Sequence, residues 1–157
     1  MKDYDEPMND QRSIKIHTEA DFDGMRKAGR LAAETMDYVI PFVKPGVTTD
    51  ELNTLCHDFI IDHGATPSPL NYRGFPKSIC TSINHVVCHG IPGDRKLVDG
   101  DIMNIDVTVT LDGWFGDHSR MVPAGKAGVK ARKLIDATFE AMWAGIRAVK
   151  PGATTGD

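Results

Sequence analysis

Residues 101–122, DIMNIDVTVTLDGWFGDHSRMV, predict a β-hairpin around which the rest of the chain is organised. Apolar and polar residues alternate along the first ten positions, which is the period of a strand with one buried face. Asp112-Gly113 then suits the positive φ angles of a two-residue hairpin turn. Leu111 should therefore pair with Trp114, and a returning strand should run from Trp114 to about position 122.

This register places two carboxylates on one face of the hairpin. Counting back from the turn, Thr108 faces Asp117 and Asp106 faces Ser119. Asp106 and Asp117 are then diagonal neighbours, with backbones about 7–8 Å apart and side chains closer. Two carboxylates at that spacing could each bind one of two metal ions about 3.5–4 Å apart. The alternative is that both are ordinary acidic residues on a solvated face.

Composition narrows the class of protein. The 157 residues suit one domain or part of a larger one, and 41% hydrophobic residues suffice for a core. A net charge of −4 and a pI near 5.8 argue against a nucleic-acid binder. No apolar run is long enough for a membrane span or a signal peptide. The three cysteines are Cys56, Cys80 and Cys88, an odd number without a C-x-x-C pair. They predict neither a disulfide framework nor a zinc ribbon, and this favours a reducing cytoplasm as the location.

Two capping boxes predict two helices after a disordered polar tail at residues 1–13. Thr18 is followed three residues later by Asp21, and Thr48 by Glu51, so each pair can satisfy free backbone groups at a helix start. Apolar residues recur at helical spacing after each box. The predicted apolar face of the first helix comprises Phe22, Met25, Gly29, Ala32, Met36 and Val39, and that of the second Leu52, Leu55, Cys56, Phe59 and Ile60.

A third predicted helix, residues 129–149, repeats features of the first. The VKPG of residues 43–46 recurs 106 positions later at 149–152, and Thr48-Thr49 recurs as Thr154-Thr155. Either the chain contains an internal duplication, or two ordinary helices share a common terminator. With a duplication, the second copy stops at Asp157, where its second helix should begin, and the chain is expected to be unfinished.

His89 is a candidate catalytic group because the following residues, Gly90-Ile91-Pro92-Gly93, predict a turn. A histidine on a loop can act as a proton donor or an electrophile near neutral pH. The alternative is a structural or merely solvated histidine.

Several linked motifs resemble methionine aminopeptidase of type I in its bacterial form, within the M24 metallopeptidases. The similarity extends from about Ser13 to the last residue, and the motifs occur in the family's order. They are NYRGFPKS at 71–78, SIN at 82–84, VVCHGIP at 86–92, DGDIMNIDVT at 99–108 and GWFGD at 113–117.

The resemblance implies an α+β architecture, the pita-bread fold, in which two similar halves enclose a dinuclear metal site. Residues 14–157 would be the N-terminal part of one catalytic domain: the first half plus the first helix of the second. The family's metal ligands are two Asp, one His and two Glu. Asp106 and Asp117 match the two Asp, whereas no residue of this chain matches the other three.

The resemblance also implies substrate and cation sites. His89 matches the histidine that hydrogen-bonds the substrate and stabilises the developing tetrahedral species. Asn84 and Val86 match a region that binds a monovalent cation in some members. The residues implied to line the pocket for the methionine side chain are Tyr72, Phe75 and Cys80, and aromatic rings with a soft sulfur suit a thioether.

Two histidines depart from the family's pattern. His85 stands where many relatives have Glu, and His118 stands where many have Thr. His118 adjoins Asp117 and could perturb metal preference, but strand alternation predicts that its side chain points to the opposite face.

The implied function is removal of the initiator methionine from nascent polypeptides whose second residue is small. It would use two divalent ions (Co, Mn, Fe or Zn) in a cytoplasmic monomer near the ribosome, without direct nucleic-acid or membrane binding. The 157 residues alone are expected to be inactive. The alternatives are a non-catalytic pita-bread binding module and a related dimetal peptidase such as prolidase or aminopeptidase P, although NYRGFPKS and VVCHGIP favour methionine aminopeptidase.

Overall fold

Three α-helices and four β-strands form the part of the chain described by the computed structural model, residues 16–156. The predicted tail, residues 1–13, lies outside it. Within the described part, no helix combines the length and hydropathy needed to cross a membrane. The elements are α1 (Glu19–Val39), α2 (Thr49–Asp62), β1 (Thr66–Pro67), β2 (Cys80–Ile83), β3 (Ile102–Leu111), β4 (Trp114–Pro123) and α3 (Val129–Ala148), with 3-10 turns at Ile40–Phe42 and Tyr72–Gly74.

The predicted hairpin is confirmed as β3 and β4, with Leu111 paired to Trp114. β3 is the central strand of an antiparallel sheet. β4 lies along one edge, whereas β1 and β2 share the other, β1 opposite Thr110 and β2 opposite residues 103–106. This central position lets β3 present side chains to neighbours on both sides.

The core lies between one face of this sheet and helices α1 and α2. The apolar residues of β3 that alternate with Asp106 and Thr108 are fully buried there, as the pattern predicted. Their partners on α2 include Leu52, Cys56 and Ile60. The opposite face of the sheet therefore remains available for the polar residues of the hairpin.

Both predicted capping boxes are present at the starts of α1 and α2. The predicted apolar face of α1 is correct only in its C-terminal part, because Phe22 and Met25 are 44% and 50% exposed. The buried stripe begins instead at Ala28 and includes Thr35, whose hydroxyl donates to the Leu31 carbonyl at 2.8 Å. In these turns the residue of α1 that packs against the hairpin is Gly24, where an added Cβ would lie 2.3 Å from Nε1 of Trp114. The apolar side chains of the first turns lie off that face and stay exposed.

The backbone of α1 lies directly against the backbone of the hairpin at Gly116. A Cβ at this position would lie 2.0 Å from the Ala28 carbonyl oxygen and 2.3 Å from its carbon. Only glycine permits the helix backbone to approach β4 so closely. The hairpin is thereby held against α1 on one face while its other face stays open.

Candidate metal and substrate site

Asp106 and Asp117 lie on the open face of the hairpin in the predicted register. Thr108 pairs with Asp117 and Asp106 pairs with Ser119. The Thr108 hydroxyl donates to Asp117 Oδ1 at 3.3 Å, which helps to orient that carboxylate. Asp106 is half-buried, whereas Asp117 is exposed.

The electrostatics of this pair favour a bound cation. Burial raises the pKa of Asp106, and the neighbouring Asp117 carboxylate raises it further, while His89 opposes the shift. Two carboxylates that disfavour each other's charge would both be stabilised by a divalent ion between them. The donor chemistry therefore fits a metal bound by hard oxygen ligands.

These two carboxylates do not make a complete coordination sphere. Within residues 16–156, no group of three or more His, Cys, Asp or Glu side chains is positioned to hold a metal ion. Divalent cations in proteins take from about four ligands, for Zn²⁺, to six or more, for Mg²⁺ and Ca²⁺, and water can supply only some of them without loss of affinity. Asp106 and Asp117 could therefore supply only part of the ligands of a metal site.

His89 is held near Asp106 by the loop that follows β2. Its backbone is left-handed, with φ 54°. The Thr81 amide donates to the Gly90 carbonyl at 2.8 Å, and the Gly90 amide donates to the Ser82 hydroxyl at 3.1 Å. A Cβ on Gly90 would lie 2.1 Å from the Thr81 carbonyl oxygen, so glycine is needed for this close approach.

A cavity of about 690 Å³ opens on the same side of the sheet and brings most of the predicted site residues together. Its size lies in the range of small-molecule sites. Asp106 and His89 contribute polar groups, while the loop before β2 forms much of the apolar wall. The predicted residues among its lining are Tyr72, Phe75, Cys80, His89 and Asp106.

Cys80 lies opposite Asp106 in the pairing of β2 with β3. Burial, with smaller contributions from Asp106, Cys88 and Asp117, raises the pKa of the Cys80 thiol to about 11. At neutral pH the side chain is therefore a neutral thiol. It can contribute a soft, polarizable surface to the cavity but is a poor nucleophile.

Alkylation at neutral pH should distinguish the three cysteines. Cys88 is exposed, whereas Cys80 and Cys56 are buried, and burial raises the pKa of Cys56 to about 12. Because the thiolate is the reactive form, Cys88 should react with iodoacetamide first. Peptide mass spectrometry over a time course measures the order, and modification of Cys80 before Cys88 would contradict this description of the cavity wall.

The region of Asn84 and Val86 adjoins the site but is not part of the cavity lining. The side-chain Nδ2 of Asn84 donates to Asp101 Oδ1 at 2.7 Å, and the side-chain Oδ1 of Asn84 accepts from the Ile102 backbone amide at 3.1 Å. The Asn84 side chain is therefore engaged in holding the start of β3. A monovalent cation here would have to use backbone carbonyl oxygens.

His118 faces away from the carboxylate pair, as strand alternation predicted. Its Nε2 lies 3.2 Å from Nη2 of Arg120, whose Nη1 donates to Asp37 on α1 at 3.1 Å. Burial, and then the Arg120 charge, lower the pKa of His118. This histidine belongs to the contact between β4 and α1. His85 is an exposed residue of the loop after β2.

Some residues that line the cavity were not predicted. Phe115 shares the face of Asp117 by strand alternation, so the register already contained the signal for it. Arg73 lies inside the NYRGFPKS motif, but its approach to the cavity depends on loop geometry that no sequence period encodes. Ser68 lines the wall as well, and its hydroxyl lies 2.8 Å from that of Thr110.

Methionine aminopeptidases match most of this chain in sequence and in structure. The methionine aminopeptidase of Rickettsia prowazekii is 63% identical over 145 residues, which are 92% of this chain and 56% of that protein. A crystal structure of the methionine aminopeptidase from the same organism superimposes with a TM-score of 0.90 at 64% identity, over 92% of this chain and 58% of that structure. The chain thus spans about half the length of the relatives it matches.

The same fold occurs in an Escherichia coli aminopeptidase P. It is 24% identical, with a TM-score of 0.74 over 86% of this chain and 30% of that structure, and it shows the fold alone. These neighbours confirm the predicted α+β pita-bread architecture. The profile of metallopeptidase family M24 matches residues 23–157. The resemblance to the methionine aminopeptidases is thus confirmed, and the chain belongs to metallopeptidase family M24.

Proposed function

We propose that this chain forms part of a metal-dependent methionine aminopeptidase that removes the initiator methionine when the second residue is small. The observation that carries the proposal is the Asp106–Asp117 pair on the open face of the hairpin, where Asp106 lines the same cavity as His89. The sequence identity between this chain and methionine aminopeptidases supports the proposal further.

Asp106 and Asp117 would hold two divalent ions (Co, Mn, Fe or Zn) together with ligands from outside residues 16–156. Such a metal pair supplies a water of lowered pKa and polarises the peptide carbonyl. The free α-amine of the substrate would be held at the same ions, so Asp106 and Asp117 would fix where the N-terminus of the peptide lies. The half-buried position of Asp106 strengthens these interactions because solvent screens them less.

His89 would hydrogen-bond the substrate and stabilise charge that develops at the peptide carbonyl. The anchored Gly90 fixes its position, and a preorganised donor of this kind costs no rearrangement during the reaction. Tyr72, Phe75 and Cys80 would receive the methionine side chain. Their rings and neutral thiol offer dispersion contacts to the thioether without a competing charge.

Further parts of the proposal concern the surroundings of the site. Backbone oxygens near Asn84 and Val86 would hold a monovalent cation. The protein would act as a cytoplasmic monomer on nascent chains close to the ribosome, without direct contact to nucleic acid or membrane. The 157 residues alone would release no methionine, because two carboxylates cannot complete two coordination spheres.

A substrate comparison tests the proposal against its alternatives. The full-length, metal-loaded protein should release free methionine from a Met-Ala-initiated peptide and leave an Xaa-Pro peptide intact. Release from the Xaa-Pro peptide alone would indicate a prolidase or aminopeptidase P. Absence of release from both, with metal bound and the protein folded, would indicate a non-catalytic binding module.

Gly90→Ala should reduce methionine release about 100-fold, since a displacement of about 1 Å in a catalytic group can cost that much. The new Cβ would collide with the Thr81 carbonyl oxygen and push His89 out of position. Gly93→Ala is the matched control in the same loop, because no atom lies within 4 Å of its added Cβ. Steady-state kinetics should show a loss for the first variant only. Equal rates for the two variants would count against a positioned His89.

A further inference from the structure

Arg73 brings a permanent positive charge to the wall of the cavity. Apart from His89, it is the one basic side chain among the described residues that line it. Its side chain is exposed, and within residues 16–156 its guanidinium enters no ion pair. The charge is thus available to a bound ligand.

The loop that carries Arg73 is held by its own hydrogen bonds. The Asn71 amide donates to the Phe75 carbonyl at 2.8 Å, and the Phe75 amide donates to the Tyr72 carbonyl at 3.0 Å. Arg73 itself has a left-handed backbone, with φ 48° and ψ 33°. The guanidinium carbon lies 5.5 Å from the centre of the Tyr72 ring, a cation–π contact that restrains the side chain.

The cavity wall carries this cation on a different element from the proposed metal ligands. Asp106 lies on β3, with Asp117 beside it on the hairpin, whereas Arg73 lies on the loop before β2. At about 690 Å³ it can hold more than one residue of a peptide. A peptide whose α-amine lies at the proposed metal site therefore presents its later residues to the rest of the wall.

We infer that Arg73 is a specificity-determining residue that favours substrates with an acidic side chain at the third or fourth position. The inference rests on the proposed function. A guanidinium binds a carboxylate through two parallel hydrogen bonds, and a lysine ammonium cannot reproduce that geometry. Because Arg73 is exposed, the preference should be modest, about 2- to 5-fold, the scale of a solvent-exposed ion pair.

The test compares matched peptides on the full-length, metal-loaded protein. Peptides that begin Met-Ala and carry Glu or Gln at position three or four are assayed for free methionine at low and high ionic strength. We expect kcat/KM to be about 2- to 5-fold higher for the Glu peptides at low salt, mainly through KM. The preference should diminish at 1 M salt, where screening acts within about 3 Å.

Variants then assign the preference to Arg73. Arg73→Gln should remove it and Arg73→Glu should reverse it, each read as the ratio of kcat/KM for the Glu peptide to kcat/KM for the Gln peptide. Arg30→Gln, which removes an exposed cation from α1 behind the sheet, should leave the preference intact. Equal kcat/KM for the Glu and Gln peptides, or a preference that survives Arg73→Gln, would overturn the inference. Absence of methionine release from every peptide would instead refute the proposed function.

Discussion

Asp106→Asn should lower the affinity of the full-length protein for Mn²⁺ at least about 100-fold. Replacement of a residue that only supports a metal ligand costs 10- to 100-fold, and a direct ligand should cost at least as much. Asparagine keeps the size of the side chain but removes the negative charge that we propose binds the ion. Calorimetric titration measures the affinity, and methionine release should fall in parallel.

The same substitution should stabilise the metal-free protein near neutral pH. Burial and Asp117 raise the pKa of Asp106 above its unfolded value, so the ionised carboxylate lowers the free energy of unfolding as pH rises through the folded-state pKa. Asparagine has no charge to bury, and its side-chain amide can donate a hydrogen bond to the Asp117 carboxylate. The stabilisation should shrink as pH falls, because Asp106 then takes up a proton itself.

Asp112→Asn is the matched control for this prediction. It removes one carboxylate from the same hairpin, and asparagine tolerates the φ of 50° found at this turn position. Its metal affinity and its thermal unfolding should match those of the unchanged protein. If Asp106→Asn bound Mn²⁺ as tightly as Asp112→Asn does, Asp106 would not be a metal ligand.

Gly116→Ala should destabilise the protein by about 3 kcal/mol, at the upper end of the cost of overpacking a core. The added Cβ would collide with the carbonyl group of Ala28, which is helix backbone and cannot rotate away as a side chain could. Either α1 must shift or the hairpin must bend. Equilibrium denaturation in urea measures the loss.

Gly29→Ala offers a sharp contrast on the facing helix. No atom lies within 4 Å of its added Cβ. Alanine in a helix interior is favoured over glycine by about 0.5–1 kcal/mol, so this variant should be slightly more stable. Gly29 and Gly116 are neighbours across the contact of α1 with β4, yet alanine should raise the free energy of unfolding at the first and lower it at the second. Equal effects at the two positions would contradict the close approach of α1 to β4.

The features that could be predicted from sequence are those specified by neighbouring residues. The hairpin register follows from strand alternation and the Asp112-Gly113 turn, and each helix start follows from a threonine and an acidic residue three positions later. Because the register was correct, the diagonal placement of Asp106 and Asp117 was correct as well. Local chemistry thus specified the centre of the candidate site.

The features that could not be predicted depend on distant contacts. Phe22 and Met25 continue the helical period of α1, yet they are exposed because the face that meets β4 in these turns carries Gly24 instead. β1 is only two residues long and exists through its pairing with β3. The contribution of Arg73 to the cavity depends on a left-handed loop backbone, which its residue type does not indicate.

The positions of bound metal ions test whether Asp106 and Asp117 are metal ligands. Crystals of the full-length protein soaked in MnCl₂ would be measured at a wavelength that gives anomalous signal from manganese. We expect two peaks about 3.5–4 Å apart, in contact with the carboxylates of Asp106 and Asp117. Peaks only at other residues, in a protein that releases methionine, would show that the hairpin carboxylates are not the metal site.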